Sequence, residues 1–239
     1  MAGPLGFTIN WIVPEVLQLA VVVCALRSRS FIRFFPLNFY MLAATVLTAA
    51  RCLVFFEYGV KSIKYFYFYY YSDGILTICL FFALMGLFAQ VFREMGAERF
   101  VRIGSVLVLG LTSIVSYFIV RHDFAMAQTL NKGFAAHFVA ELSQNLYFVG
   151  AVLTYLLWAA VRKLRETRTQ LIQFVLALGV YFSALAASYA LAVLNPNIPI
   201  WMIGQYVAGI WLPVAWGYTF LKVPQGAKLA TARVAMNPQ

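Results

Sequence analysis

The chain has 239 residues, of which 63% are hydrophobic and only 11% charged, and its mean hydropathy is +0.83. A soluble domain carries about 25% charged residues, so this composition excludes a water-covered globule and calls for lipid around most of the surface. The net charge of +10 does not imply nucleic acid, because the Lys and Arg residues cluster beside apolar runs, as membrane topology requires.

Seven apolar runs are long enough to be read as membrane spans, since about twenty helical residues rising 1.5 Å each cross a hydrocarbon core of about 30 Å. The first predicted span covers about 8–26, contains Pro14, Glu15 and Gln18, and is followed by Arg27, Arg29 and Arg33. The second covers about 34–56, with Thr45, Thr48 and Arg51 at a spacing of three on one face. A short loop with Lys61 and Lys64 leads to an unbroken aromatic block, Tyr65 to Tyr71, then Ser72, Asp73 and Gly74. Counting a full span back from Phe92 lands on Asp73, so the third span is predicted over about 73–92. The aromatic block then lies at headgroup level, where a Tyr ring places an apolar body and a wet hydroxyl. A cage of these rings around a quaternary ammonium is the alternative. On a helix, however, seven consecutive rings point all around, which favours interfacial anchoring.

The fourth span, about 103–120, is rich in small and hydroxyl residues such as Gly104, Ser105, Gly110 and Thr112, which let helices approach closely. The fifth, about 134–161, is overlong and carries His137, Glu141, Gln144 and Asn145 near its first end. The sixth, about 169–194, has two small-residue ladders, Gly179/Ser183/Ala187 and Ala184/Ser188/Ala192, both read as packing faces. Asn195-Pro196-Asn197 reads as a tight turn. The seventh, about 199–221, contains Pro213, and a short polar tail, 222–239, follows. Cys24, Cys52 and Cys79 all fall inside apolar runs and read as small buried hydrophobes, with no CxxC among them. The N-terminus lacks a basic n-region and an A-x-A site, so the first span is expected to act as its own uncleaved signal.

Charge orients the spans. One side collects Arg27, Arg29, Arg33, then Arg93, Arg99, Arg102, then Arg162, Lys163, Arg165, Arg168, and three more in the tail. Lys61, Lys64, Arg121 and Lys132 are left for the other side, and Arg51 lies within a span. The positive-inside rule then places the N-terminus outside and the C-terminus in the cytoplasm.

An ionisable residue inside a span is a functional-site hypothesis by default, because burying it costs several kcal/mol. Measured from the basic end at 1.5 Å per residue, Arg51 comes out roughly 25 Å up, Asp73 roughly 28 Å and Glu141 roughly 30 Å, with Glu15 roughly 17 Å up. The functional reading is an outward-facing polar pocket: Arg51 pairs with Asp73 or Glu15, and His137, Glu141 and Gln144 line one face of the fifth helix. Glu15, Gln18, Arg51, Asp73, His137, Glu141 and Gln144 are therefore the candidate binding residues. In the bland reading Arg51 snorkels to headgroups, Glu15 favours the dipole of a shorter helix, and the other acids sit at the water interface.

His137 and Glu141 have the i, i+4 spacing of metal ligands. Against a metal stands Arg51, which repels a cation, and the hydrolases resembling ceramidases need about three histidines where this chain has His122 and His137. A retinal Schiff base needs a lysine deep in the seventh helix, and Lys222 lies at its end. No nucleotide loop, nucleophile elbow or HExxH is present, so no catalytic residue is predicted and no cofactor is named. Glu15-x-x-Gln18 is echoed by Glu141-x-x-Gln144, the sign of a 3+1+3 repeat like that of the sugar-efflux SWEET proteins. The distances from these acids to the next arginine differ too much to support it.

The aromatic entry to the third span, Asp73 at its start and its exit through Phe92, Arg93 and Glu94 resemble an uncharacterised family of seven-helix bacterial, acidobacterial membrane proteins of similar length. More distantly, the chain resembles the seven-helix input regions of bacterial sensor kinases. These resemblances imply a bacterial inner membrane and supply no ligand or catalytic residue. The expectation is thus an all-α, seven-transmembrane-helix bundle over 1–221. Its expected role is sensor-like or accessory, holding a small ligand or a partner membrane-protein helix in its outer half. A secondary transporter or a subunit of a membrane complex are the rivals.

Overall fold

The computed structural model describes residues 4–27, 31–59, 62–93, 96–126, 133–163, 169–194 and 200–223, with side chains left undescribed at 4–12, 125–126 and 200–202. Arg29, Lys61, Glu94, Lys132, Arg165, Arg168, the Asn195–Asn197 turn and the tail beyond Val223 lie outside the described residues. All regular structure among those described is helical: α1 (Pro4–Arg27), α2 (Phe35–Tyr58), α3 (Ile63–Phe92), α4 (Glu98–Met126), α5 (Phe134–Lys163), α6 (Thr169–Leu194) and α7 (Ile200–Lys222). Five of them, α2 to α6, are long and apolar enough to cross a membrane. Large apolar side chains stand exposed on outward faces, among them Val23, Leu53, Leu111, Val152 and Val193. Such a surface is stable only against hydrocarbon, and the chain is a membrane-embedded helical protein.

Two helices differ from expectation at their ends. α3 starts at Ile63 rather than at Asp73. Ser62 caps it by accepting the Lys64 N–H at 3.2 Å, and nothing between Ile63 and Ser72 breaks a helix. The aromatic block is therefore wound, with rings meeting one turn apart, as Phe66 and Tyr70 do at 4.6 Å. α4 extends beyond its apolar core at both ends, because charged residues tolerate the interface on either side.

Six helices close a ring. α1 packs on α2, α2 on α3, α3 on α5, α5 on α6, α6 on α7, and α7 back on α1. α4 lies outside this ring, against α5 and α3. Two glycines let the ring close tightly. A side chain at Gly74 would run into Val139 of α5, and one at Gly150 would run into the ring of Phe182 of α6.

Toward the end bearing Arg27, Arg33, Arg93 and Arg162 the ring is filled with aromatic side chains. Phe34 meets Phe174 at 4.7 Å, Phe174 meets Phe220 at 5.0 Å, and Trp216 stands edge-on to both Phe174 and Tyr40. Phe34, Phe174 and Trp216 are fully buried, and burying such side chains stabilises the bundle through close packing. Gln90 closes the same end by donating to the Arg33 carbonyl at 3.0 Å.

The ladders of α6 split. Ser188 is buried and lies against Gly204 of α7, so that face packs as expected. On the other face Ala187 is exposed, while Gly179 and Ser183 line an apolar groove of about 380 Å³ between α5 and α6. The expectation that the Gly179/Ser183/Ala187 ladder is a packing face holds at Gly179, which Thr154 of α5 meets, and fails at Ala187.

Candidate functional site

Above the aromatic plug the ring opens into a cavity of about 350 Å³. α1 contributes Pro14, Glu15 and Gln18 to its wall, and α2 contributes Tyr40, Ala44, Thr48 and Arg51. α3 adds Tyr69, Asp73 and Leu76, while α5 and α6 add one tyrosine each, Tyr147 and Tyr181. At 1.5 Å per residue, Arg51 lies about 24 Å along α2 from Phe35 and Asp73 about 28 Å along α3 from Phe92. The polar groups thus occupy the part of the ring away from the basic end.

Arg51 is the best-anchored polar side chain here. Its Nε donates to Ser72 Oγ at 2.6 Å, and its Nη2 donates to the Tyr69 carbonyl at 3.3 Å. The same Nη2 stands 3.6 Å from Asp73 Oδ1, and the guanidinium lies over the Tyr69 ring at 4.5 Å. Only 11% of the Arg51 side chain is exposed, against 25% for Asp73, so the pair is largely shielded from solvent. One α2 cation therefore grips a whole turn of α3 by a carboxylate, a hydroxyl, a carbonyl and a ring. Lysine cannot reproduce this, since its ammonium has neither the planar fork nor the stacking face. The cation held by the aromatic block is the protein's own arginine.

Glu15 lies beside the Thr48 side chain and within the field of Arg51. One turn along α1, Gln18 Oε1 is buried with no hydrogen-bond partner. The tyrosines complete the lining. Tyr40 and Tyr181 share a hydroxyl–hydroxyl hydrogen bond of 3.3 Å. Thr77 Oγ1 lies 2.9 Å from both the Asp73 carbonyl and the Tyr147 hydroxyl. A threonine has one proton to give and the carbonyl has none, so Thr77 donates to the carbonyl and Tyr147 donates to Thr77.

The remaining three candidates are elsewhere. His137, Glu141 and Gln144 line a separate pocket of about 130 Å³ between α4 and α5, together with Asp123 and Phe124. His137 is exposed and rests edge-on against Phe124 at 5.4 Å. Glu141 Oε1 accepts from Asn145 Nδ2 at 3.0 Å, and that amide also donates to Ser116 Oγ of α4 at 3.0 Å. The expected single polar layer is therefore two: Glu15, Gln18, Arg51 and Asp73 meet inside the ring, while His137, Glu141 and Gln144 lie at the α4–α5 seam. Among the described residues, no group of three or more His, Cys, Asp or Glu side chains is placed to hold a metal ion.

Tyr40, Tyr147 and Tyr181 are site residues that the sequence reading missed. Their one signal was position: they fall inside apolar runs instead of at the ends where interfacial tyrosines collect. No family model, curated protein or solved structure matches this chain significantly.

Proposed function

We propose that the chain is a seven-span, N-outside protein of a bacterial inner membrane, without catalytic chemistry, which binds a small ligand in the ring pocket. In this reading it is a sensor-like or accessory protein. α1 and α7 complete the spans of α2 to α6, and the basic ends of the helices face the cytoplasm. The pocket then lies in the outer half of the bilayer. The observation that carries the reading is convergence: five helices of one ring direct polar groups into a cavity, beside an arginine whose partners all come from α3. Isolated interfacial residues have no reason to converge, whereas a binding site requires a few polar groups aimed into one concavity.

A second reading, a secondary transporter, draws on Pro14, which lines the pocket from within α1. Interrupted helices beside a substrate site are the usual device of such proteins. A single cysteine at Thr48 (Thr48→Cys, with Cys24, Cys52 and Cys79 replaced by alanine) separates the readings when labelled with a membrane-impermeant maleimide. Labelling in intact cells but not in inverted vesicles is expected of a binding protein. Labelling from both sides supports the transporter, and no labelling from outside refutes the outer pocket.

A further inference from the structure

Acidic groups outnumber basic ones in the ring pocket. Asp73 and Glu15 are two carboxylates and Arg51 is one guanidinium. Arg51 is directed onto α3, at Ser72, Tyr69 and Asp73, so its contacts are made away from α1. Glu15 is left beside a neutral neighbour, the Thr48 side chain. The unfilled hydrogen-bonding capacity on the α1 wall is also of one kind. Gln18 Oε1 is a buried acceptor without a donor, and Glu15 is acceptor-only when ionised. The two residues are three apart and therefore share a helix face. Pro14 adds to this, because it has no N–H to give to the Asn10 carbonyl one turn before it. An acceptor-rich wall that gains a surplus negative charge when Glu15 is ionised favours a cation that carries N–H donors.

We propose that the ring pocket takes a small primary ammonium compound, with its NH₃⁺ group held between the Glu15 carboxylate and Gln18 Oε1. The inference rests on the ring cavity being an outward-facing ligand site. A cavity of about 350 Å³ is at the small end of the range of about 300–1,000 Å³ for ligand pockets, so the body of the compound is short. Tyr40 and Tyr181 offer hydroxyls to a polar tail, and Leu76 gives the lining an apolar patch. A primary ammonium presents three donors, which match the acceptors on α1. A quaternary ammonium presents none and leaves Gln18 Oε1 unserved.

The test uses the full chain in nanodiscs and three small probes: ethanolammonium, choline and glycolate. Choline is ethanolammonium with its N–H groups replaced by N-methyl groups, and glycolate replaces the cation with an anion. Saturable binding of ethanolammonium is expected, at least tenfold tighter than choline, with glycolate not binding. Glu15→Gln keeps the size and removes the charge, and it should weaken ethanolammonium at least tenfold. Gln18→Leu leaves every charge in place and should narrow the gap between ethanolammonium and choline. Ethanolammonium should also protect Thr48→Cys from the external maleimide. Equal binding of choline and ethanolammonium, binding of glycolate alone, or full affinity in Glu15→Gln overturns the ammonium assignment. If none of the three binds while Thr48→Cys is labelled from outside, the ammonium assignment fails and the outer pocket stands. If Thr48→Cys is not labelled, the pocket reading itself fails.

Discussion

Two polar clusters in this molecule look alike in the sequence and differ in the fold. Each has a helical acid with a glutamine three residues later, Glu15 with Gln18 on α1 and Glu141 with Gln144 on α5. The first opens into a cavity walled by five helices, where Arg51 binds α3 through a carboxylate, a hydroxyl and a carbonyl. The second faces α4, which stands outside the ring, and its histidine is exposed. The difference lies in the packing of α3 directly on α5, which displaces α4. Polar spacing on a helix says which residues share a face. Only the ring order says what that face meets.

The comparison breaks most visibly at Arg51. Replacing it with leucine strands Asp73 in a site where three quarters of its side chain is shielded. We expect Arg51→Leu to lose about 3 kcal/mol of stability, the lower end of the loss when one partner of a buried pair is removed. Arg51→Lys should lose about 1–2 kcal/mol, because it forfeits the bond to Ser72 and the stacking on Tyr69 but keeps the charge. Reversible unfolding in mixed micelles measures both. A silent Arg51→Leu would make the residue a snorkelling side chain and dissolve the site.

Ring closure gives the next effect. At Gly150 any side chain runs into the Phe182 ring, so Gly150→Leu must push α5 from α6 and should cost about 1–3 kcal/mol through overpacking. Thermal unfolding at wild-type temperature would mean that these helices do not meet there. At the seam the expectation reverses. His137→Ala and Glu141→Gln should each stay within about 0.5 kcal/mol, as surface substitutions do, although both residues were read from sequence as part of one site with Arg51. A loss at His137 comparable to that at Arg51 would put the seam back into the pocket. Smallest of all should be Ala187→Leu, because Ala187 is exposed beside the α5–α6 groove. A marked loss of stability there would show a helix packed on that face.

The helices were legible because apolar runs of span length alternate with charged turns, and a membrane enforces that alternation. The start of α3 was less so. Hydropathy favours the strongly apolar stretch after Asp73, while the capping by Ser62 that sets the true end is a local hydrogen bond. Arg51, Asp73 and Glu15 stood out as charges among apolar neighbours. Tyr40, Tyr147 and Tyr181 did not, since a tyrosine inside a span reads as one more aromatic until its hydroxyl is seen to find Tyr181 or Thr77. The α6 ladders show the same limit. Ser188 and Ala187 are both small residues at helical spacing, yet one packs on α7 and the other is exposed.

The central claim is that the Arg51–Asp73 pair lies inside a closed ring and that the Glu141–Asn145 pair lies at its edge. A double-mutant cycle on each pair, Arg51→Leu with Asp73→Asn and Glu141→Leu with Asn145→Leu, tests this under one unfolding condition. For the first cycle we expect a coupling of more than about 1 kcal/mol, because Asp73→Asn removes the charge that Arg51→Leu strands. The second should couple by no more than about 0.5 kcal/mol, as an i, i+4 pair on a helix surface does. Additive effects at Arg51 and Asp73, or equal coupling in the two cycles, would contradict the account.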